Sequence, residues 1–300
     1  MLPVIINAAA GTGQSAGGPE SLEEAFHAAG MEARIVPVRP GQDLSAVAVE
    51  VARQKPAAIV AGGGDGTIRS VASALAGTGI PLGVLPLGTL NHFAKDLGIP
   101  LDLAEAARNI AAGHAVDVDV GEVNGRVFIN NSSLGLYPHI VRHRDTQQRR
   151  LGRGKWPAFL WATLTMLRHS PFLNVCLSLD GAQTHCRTSF VFIGNNEYVM
   201  EGFDIGKRER LDAARLSIYT TRRRGRAKVL MLGLRALIGR LRQAKDFEAL
   251  SAQTLVVETR HKRLHVATDG EVTVMDTPLE YAIRPGALRV LVPRPEEKTG

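Results

Sequence analysis

Between Pro3 and Gly98 the chain changes its hydrophobic period every few residues, and that alternation narrows the choice of fold more than any other feature. The runs "PVIIN", "EARIVPV", "AAIVAG" and "PLGVLP" read as buried strands. The stretches "PESLEEAFHAAG", "LSAVAVEVARQK", "TIRSVASALAG" and "LNHFAKDLG" between and after them have helical spacing, the first opening at Pro19 and closing at Gly30. Strand and helix in turn predict a parallel sheet with helices on both faces. Ligands of such sheets gather where the strands end. The loops expected there are "NAAAGTG", "GGGDGT" and "PLGTLN", all rich in glycine, amide and hydroxyl groups.

From about Val116 the pattern is different. "AVDVDVGEVNGRVFINNSSLG" reads as two strands joined at Asn124-Gly125, a hairpin signal. "FLNVCLSL", "TSFVFIGN", "RLSIYTT", "TLVVETR", "LHVATDGE" and "LEYAIRP" follow as short strands, which predicts an antiparallel sandwich. Two helical segments interrupt them, "WPAFLWATLTMLRHS" and "RAKVLMLGLRALIGRLRQAK". The expected division is therefore an α/β domain over residues 1–115 and a β-sandwich domain over 116–300. The last strand is free to return to the first domain.

At 300 residues, 45% apolar and 22% charged, the chain has the composition of a globular protein. Its net charge of +7 is unevenly placed: residues 1–140 hold 8 Lys/Arg against 13 Asp/Glu, and the remainder hold 28 against 16. Cys176 and Cys186 flank an Asp180-Gly181 turn that pairs Cys176 with His185 and Cys186 with Val175. The sulfurs then point to opposite faces, so no bridge is expected and a reducing compartment fits. The start "MLPVIINAAAG" has neither the basic region nor the apolar length of a signal peptide, so a cytoplasmic location is expected.

The chemistry concentrates in the glycine-rich loops. In "IVAGGGDGTIRS" a strand runs into a helix through Gly62, Gly63, Gly64 and Gly66, an arrangement that turns backbone N–H groups toward a phosphate. A carboxylate beside phosphates is useful if it holds a metal ion or handles a proton, which singles out Asp65. The plain alternative is an Asx turn that caps the helix near Thr67. In "PLGTLN", Gly88 permits close approach while Thr89 and Asn91 offer a hydroxyl and an amide; a simple helix start reads equally well. No G-x-x-x-x-G-K-[ST] occurs. "GTGQSA" matches G-x-G-x-x-A, but Gly17, Gly18 and Pro19 push the helix start beyond the fingerprint.

Together, "GGGDGT", "PLGTLNHFAKDLGIP" and a late Asp269-Gly270-Glu271 resemble the paired GGDGT and PxGTxNDFA signatures and the D-G-E of the diacylglycerol kinase catalytic domain family. That family includes bacterial lipid kinases and sphingosine kinases. The resemblance covers nearly the whole chain in motif order and layout. It implies an N-terminal doubly wound α/β domain of NAD kinase/phosphofructokinase type, a C-terminal antiparallel β-sandwich and an active site in the cleft between them. It implies ATP held by Asn7, Gly11, Gly62, Gly63, Gly64, Asp65, Gly66, Thr67, Gly88, Thr89 and Asn91. Asp65, Asp269 and Glu271 would be catalytic, one of them as general base on a lipid hydroxyl, others positioning Mg2+. Relatives carry Asp-Asp-Gly where this chain has "RLDAARLSIY", leaving Asp212 as the one remaining ligand of a structural metal site. Asn-Pro in the first loop is replaced by "NAAAG", and His92 stands where an acid is usual.

Two stretches point to an anionic membrane surface. Residues 142–155 hold six Lys/Arg and one acid and lead into Trp156 and Trp161; residues 222–245 hold nine Lys/Arg, no acid, and Leu230, Leu234, Leu237, Ile238 and Leu241 at helical spacing. Basic residues with apolar and tryptophan neighbours suit an interfacial segment. Leucines packed on the sandwich beneath solvated arginines are the plain alternative. The expected protein is an ATP- and Mg2+-dependent lipid kinase, acting on a diacylglycerol-like hydroxyl at the cytoplasmic membrane face, with a homodimer allowed. An NAD kinase-like enzyme shares GGDG and an Asn-Glu pair, here in "GNNEY". A non-catalytic lipid-binding regulator would have no need of Asp65, Asp269 and Glu271. Fifteen aromatic residues give little surface for stacking bases, so no nucleic-acid partner is expected.

Overall fold

The computed structural model describes residues 1–7, 18–135, 172–199, 207–221 and 247–294. Its chain divides into two compact units, Met1–Val120 with Arg284–Gly300, and Gly121–Ile283. Strand β5 runs Ala115–Val123 and β18 runs Leu279–Leu291, so each contributes to both units. The break therefore falls within β5, five residues beyond the point where the sequence pattern changes.

The first unit opens β1 (Leu2–Asn7), α1 (Pro19–Ala28), β2 (Ala33–Val38), α2 (Leu44–Arg53), β3 (Ile59–Gly63), α3 (Asp65–Leu75), β4 (Leu82–Pro86), α4 (His92–Asp96) and α5 (Leu103–Ala112). The strands lie in the order β2-β1-β3-β4, all parallel, with Val290 of β18 paired to Leu82. Helices α1 and α5 cover one face through Leu22, Phe26, Ala106 and Ile110, which pack with Val4, Val60 and Leu85 of the sheet. Alternate strand residues such as Ile5 and Ile59 are equally buried, as expected for strands covered on both faces. Helix α5 is absent from the sequence reading, although its start and stop signals are present. Asp102 caps it by accepting the Glu105 N–H at 3.0 Å, and Gly113 closes it at φ 66°.

The second unit holds two antiparallel layers. One has the order β14 (Phe247–Ala252), β13 (Leu216–Thr221), β10 (Phe190–Asn195), β7 (Asn131–Gly135), β16 (Arg263–Thr268), β17 (Glu271–Asp276). The other joins the start of β18 to β15 (Thr254–Thr259), β8 (Leu173–Leu179) and β9 (Ala182–Thr188), with the end of β5 paired to β6 (Arg126–Phe128). A short pair, β11 (Tyr198–Val199) and β12 (Lys207–Arg208), completes the described strands. Leu134, Val191, Ile193, Ile218 and Val266 of the first layer share one core with Leu173, Val175, Leu177, Leu255, Val257 and Leu279 of the second. The sandwich is thus held by apolar burial between layers. Strand β14 also goes unread in the sequence, because "FEALSA" carries no alternation strong enough to mark it. Neither cysteine forms a disulfide, and the register pairs Cys176 with His185 and Cys186 with Val175. Among the described residues no helix is long and apolar enough to cross a membrane.

Candidate active site

In the first unit, β1 and β3 are neighbours, yet the chain leaves β1 for β2 on one side and returns to β3 on the other. Their carboxyl ends flank a topological switch point, the place where open α/β sheets bind ligands. Asn7 ends β1 there, half-buried, and Gly11 lies outside the described residues. The GGGDGT loop leaves β3 at the same edge, and PLGTLN leaves β4 beside it through the Gly63–Pro86 pairing.

The glycines divide by what surrounds them. A Cβ on Gly62 would come within 2.9 Å of Ile6 Cγ2, and one on Gly63 within 2.6 Å of Thr67 Oγ1. A Cβ on Gly88 would collide with the Cα of Gly64 and lie 2.8 Å from Asn91 Oδ1. These residues are small so that the two loops can pack on each other and on β1. Gly66 differs: nothing lies within 4 Å of its Cβ position, and it is exposed in the first turn of α3. Gly64 precedes that helix with no side chain capping it. The open first turn, with its amide donors and the positive end of the helix dipole, suits a phosphate.

Asp65 is the first residue of α3 and half-buried. Its Oδ1 accepts the Phe93 N–H of α4 at a long 3.3 Å, the one hydrogen bond to this carboxylate seen among the described residues. A carboxylate offers about four acceptor positions, so it retains capacity for a cation or a proton. Asn91, by contrast, works on its own loop. It is 5% exposed, left-handed at φ 51°, accepts the Gly88 N–H at 3.1 Å, and donates to the carbonyls of Pro86 and Gly88 at 3.0 and 2.8 Å. Thr67 is buried against Gly63, whereas Thr89 is exposed. Of the hydroxyl and amide groups in these two loops, Thr89 is the one turned to solvent.

In the second unit, Asp269-Gly270 forms the two-residue turn between β16 and β17, with φ of 47° and 83°. The Asp269 carboxylate accepts the N–H groups of Ile129, Asn130 and Asn131 at 2.8, 2.8 and 2.9 Å. Glu271 begins β17, more exposed, with Oε2 at 2.9 Å from the Arg126 guanidinium. Nearby, the Tyr281 hydroxyl shares a hydrogen bond with Ser132, and burial pushes its pKa well above the ordinary 10. Asp212 presents both carboxylate oxygens to Arg210 at 2.9 and 3.2 Å, which holds its carboxyl below the usual range. Among the described residues no cluster of three or more His, Cys, Asp or Glu could hold a metal. Among the described residues Asp212 is tied to Arg210 and belongs to no such cluster. Mg2+ with nucleotide asks for less, one or two carboxylates plus phosphates, and Asp65 meets that need. The basic stretches 142–155 and 222–245 lie outside the described residues.

Sequence reasoning missed Arg208, Arg126, the Phe93 amide and the amides of residues 129–131. Backbone donors leave no trace in residue type, and nothing in "GKRERLD" marks one arginine of several as buried.

Comparison with known proteins agrees with this layout. Residues 1–123 match the family model described as "Diacylglycerol kinase catalytic domain", and 134–292 match the "YegS C-terminal NAD kinase beta sandwich-like domain". A Pseudomonas aeruginosa protein named "Probable lipid kinase YegS-like" is 33% identical over 242 residues, 79% of this chain and 77% of its own. A Pseudomonas fluorescens protein of the same name is 29% identical over 279 residues, 90% and 89% of the two chains. The crystal structure of a diacylglycerol kinase from Bacillus anthracis shares the fold at TM-score 0.69 and 22% identity, covering 97% of this chain and 96% of that one. With both domains matched in order and a relative at 33% identity over most of its length, the chain belongs to the diacylglycerol kinase catalytic domain family with a YegS-type C-terminal domain.

Proposed function

We propose that this protein transfers the γ-phosphate of ATP, with Mg2+, to the hydroxyl of a diacylglycerol-like lipid. Family membership supports a phosphotransferase of the lipid kinase type. The observation that carries the reading further is the open first turn of α3, where Gly66 leaves space and Asp65 keeps acceptor capacity at the switch point. In this reading the amides of that turn and the Thr89 hydroxyl hold phosphate oxygens, and Asn91 keeps the second loop in shape to do so. Asn7 and the first loop with Gly11 complete the nucleotide site. Mg2+, when bound, would neutralise charge on the phosphates. Asp65 orients it, and Glu271 accepts the proton of the lipid hydroxyl. An NAD kinase-like activity draws on the shared GGDG, the Asn-Glu pair and the sandwich likeness named by the second family model.

Residues 142–155 and 222–245 would hold the enzyme to an anionic bilayer at the cytoplasmic face, each basic residue near the surface contributing about 1 kcal/mol. The test is labelled γ-phosphate transfer in mixed micelles containing diacylglycerol, sphingoid base, ceramide or phosphatidylglycerol in turn. Labelled lipid, with diacylglycerol best, is the expected result. No labelled product from any of the four overturns the proposal.

A further inference from the structure

The segment Ile129-Asn130-Asn131 links β6 to β7, and its backbone is gripped from two sides. Its three N–H groups all go to the Asp269 carboxylate at 2.8 to 2.9 Å. On the other side the Ile129 carbonyl accepts from Arg208 Nη1 at 2.7 Å and from Asn195 Nδ2 at 2.9 Å. The Asn130 carbonyl accepts the Asn195 N–H at 2.9 Å, and the Asn131 carbonyl accepts the Asp269 N–H at 2.8 Å. All six backbone groups of a three-residue stretch are accounted for, with little help from sheet pairing.

Arg208 is 2% exposed, one of the largest fully buried side chains among the described residues. Beyond the Ile129 carbonyl, its Nη2 donates to Asn130 Oδ1 at 2.7 Å and its Nη1 to the Asn195 carbonyl at 3.3 Å. Its guanidinium lies 5.3 Å from the centre of the Tyr198 ring. Burying a charge is expensive unless it is fully hydrogen-bonded, so so deep an arginine implies a geometry worth fixing. What it fixes is next to Glu271. Arg126, at the start of β6 and three residues before the gripped segment, pairs with Glu271; Asp269, bound by the segment, lies two residues before it. The segment thus holds Asp269, two residues before Glu271, while Arg126, just ahead of the segment in the chain, holds Glu271 itself.

We propose that Arg208 and Asp269 form a clamp on residues 129–131 that aims Glu271, which makes Asp269 a positioning residue and leaves Glu271 as the proton acceptor. This rests on the kinase reading above. Hydrogen bonds to the charged form favour that form, so a carboxylate holding three N–H groups is poorly suited to taking a proton. Glu271 pairs with Arg126 and is half-exposed, so solvent and a substrate hydroxyl can reach it, which suits it better.

The experiment compares wild type, Asp269→Asn, Arg208→Lys and Glu271→Gln in the lipid phosphorylation assay across pH. For Asp269→Asn and Arg208→Lys, kcat should fall by about 100-fold, the scale of a displaced catalytic group, with KM for ATP unchanged. The acidic limb of their kcat profiles should stay where it is in wild type; Glu271→Gln should lose that limb. A missing acidic limb in Asp269→Asn, or wild-type kcat in Arg208→Lys, overturns the clamp. Hydrogen exchange gives a second readout: the amides of 129–131 should exchange slowly in wild type and rapidly in Arg208→Lys. Fast exchange in wild type refutes the clamp even if Asp269→Asn does not fold. Wild type with no kinase activity but slow exchange at these amides would sink the kinase reading alone.

Discussion

Three Asp-Gly pairs occur at turning points of this chain, and their carboxylates do different things. Asp180 and Asp269 both sit first in two-residue hairpin turns, left-handed at φ 45° and 47°. Each reaches sideways to a distant strand. Asp180 accepts the N–H groups of Gln253 and Thr254 and the Thr254 hydroxyl; Asp269 accepts three consecutive N–H groups. Asn124, first in the β5–β6 turn, does the same with the Glu280 N–H at 2.7 Å. The left-handed turn points a short polar side chain back across the sheet, where it serves as a staple. Asp65 opens a helix instead and takes one long hydrogen bond. The dipeptide is shared, yet the backbone around it decides whether the carboxylate is spent on the fold or left for a ligand. A motif match cannot make that distinction.

The largest effect is expected from Asp65→Asn, which should lower kcat by about 10³-fold or more with an unchanged melting temperature, since an amide brings no negative charge to Mg2+ and accepts no proton. Steady-state kinetics with matched thermal melts check this, and a variant at wild-type rate would put Asp65 with the staples.

Gly88→Ala comes next, and should cost roughly 1–3 kcal/mol of stability through overpacking, because its Cβ meets the backbone at Gly64. Urea unfolding measures it. Gly66→Ala sharpens the contrast: with open space around its Cβ it should leave stability within about 0.5 kcal/mol of wild type. Its methyl would instead crowd a phosphate, so KM for ATP should rise by about tenfold, a loss near 1.4 kcal/mol. Equal unfolding midpoints for the two alanine variants would refute the division of the glycines.

The smallest effect belongs to Asp180→Asn, which should leave kcat at the wild-type value and lower stability modestly. The Thr254 backbone N–H is the largest cause holding the Asp180 carboxyl below its ordinary 3.8. A depressed folded value stabilises the protein above the unfolded range and loses that contribution as pH falls through it. The difference in urea midpoint between wild type and Asp180→Asn should therefore be full at pH 7 and shrink below about pH 4, toward the depressed value. A difference that grows on acidification would contradict the staple.

Much of the fold was legible because the parallel unit depends on patterns that local sequence carries. Val4, Ile5, Ile59 and Val60 lie in continuous apolar runs, and Asp43 sits where α2 begins. Asn124-Gly125 and Asp180-Gly181 fixed hairpin register closely enough to pair Cys176 with His185. The site was legible only in part. Residue types pointed to Asp65 and the glycines, but not to the fact that Gly64 and Gly88 make room for each other. Asn91 reads as a ligand group until its carboxamide is seen to hold Pro86 and Gly88. Arg208 was invisible, since burial of a charge depends on partners far away in the chain.

Asp65 is expected to serve chemistry where Asp180, the same residue in the same dipeptide, serves structure. Labelled γ-phosphate transfer from ATP to diacylglycerol in mixed micelles, run side by side for wild type, Asp65→Asn and Asp180→Asn, tests it most directly. The expected result is full transfer by wild type and Asp180→Asn and none by a folded Asp65→Asn. Transfer by Asp65→Asn at the wild-type rate, or loss of transfer in a folded Asp180→Asn, would contradict it.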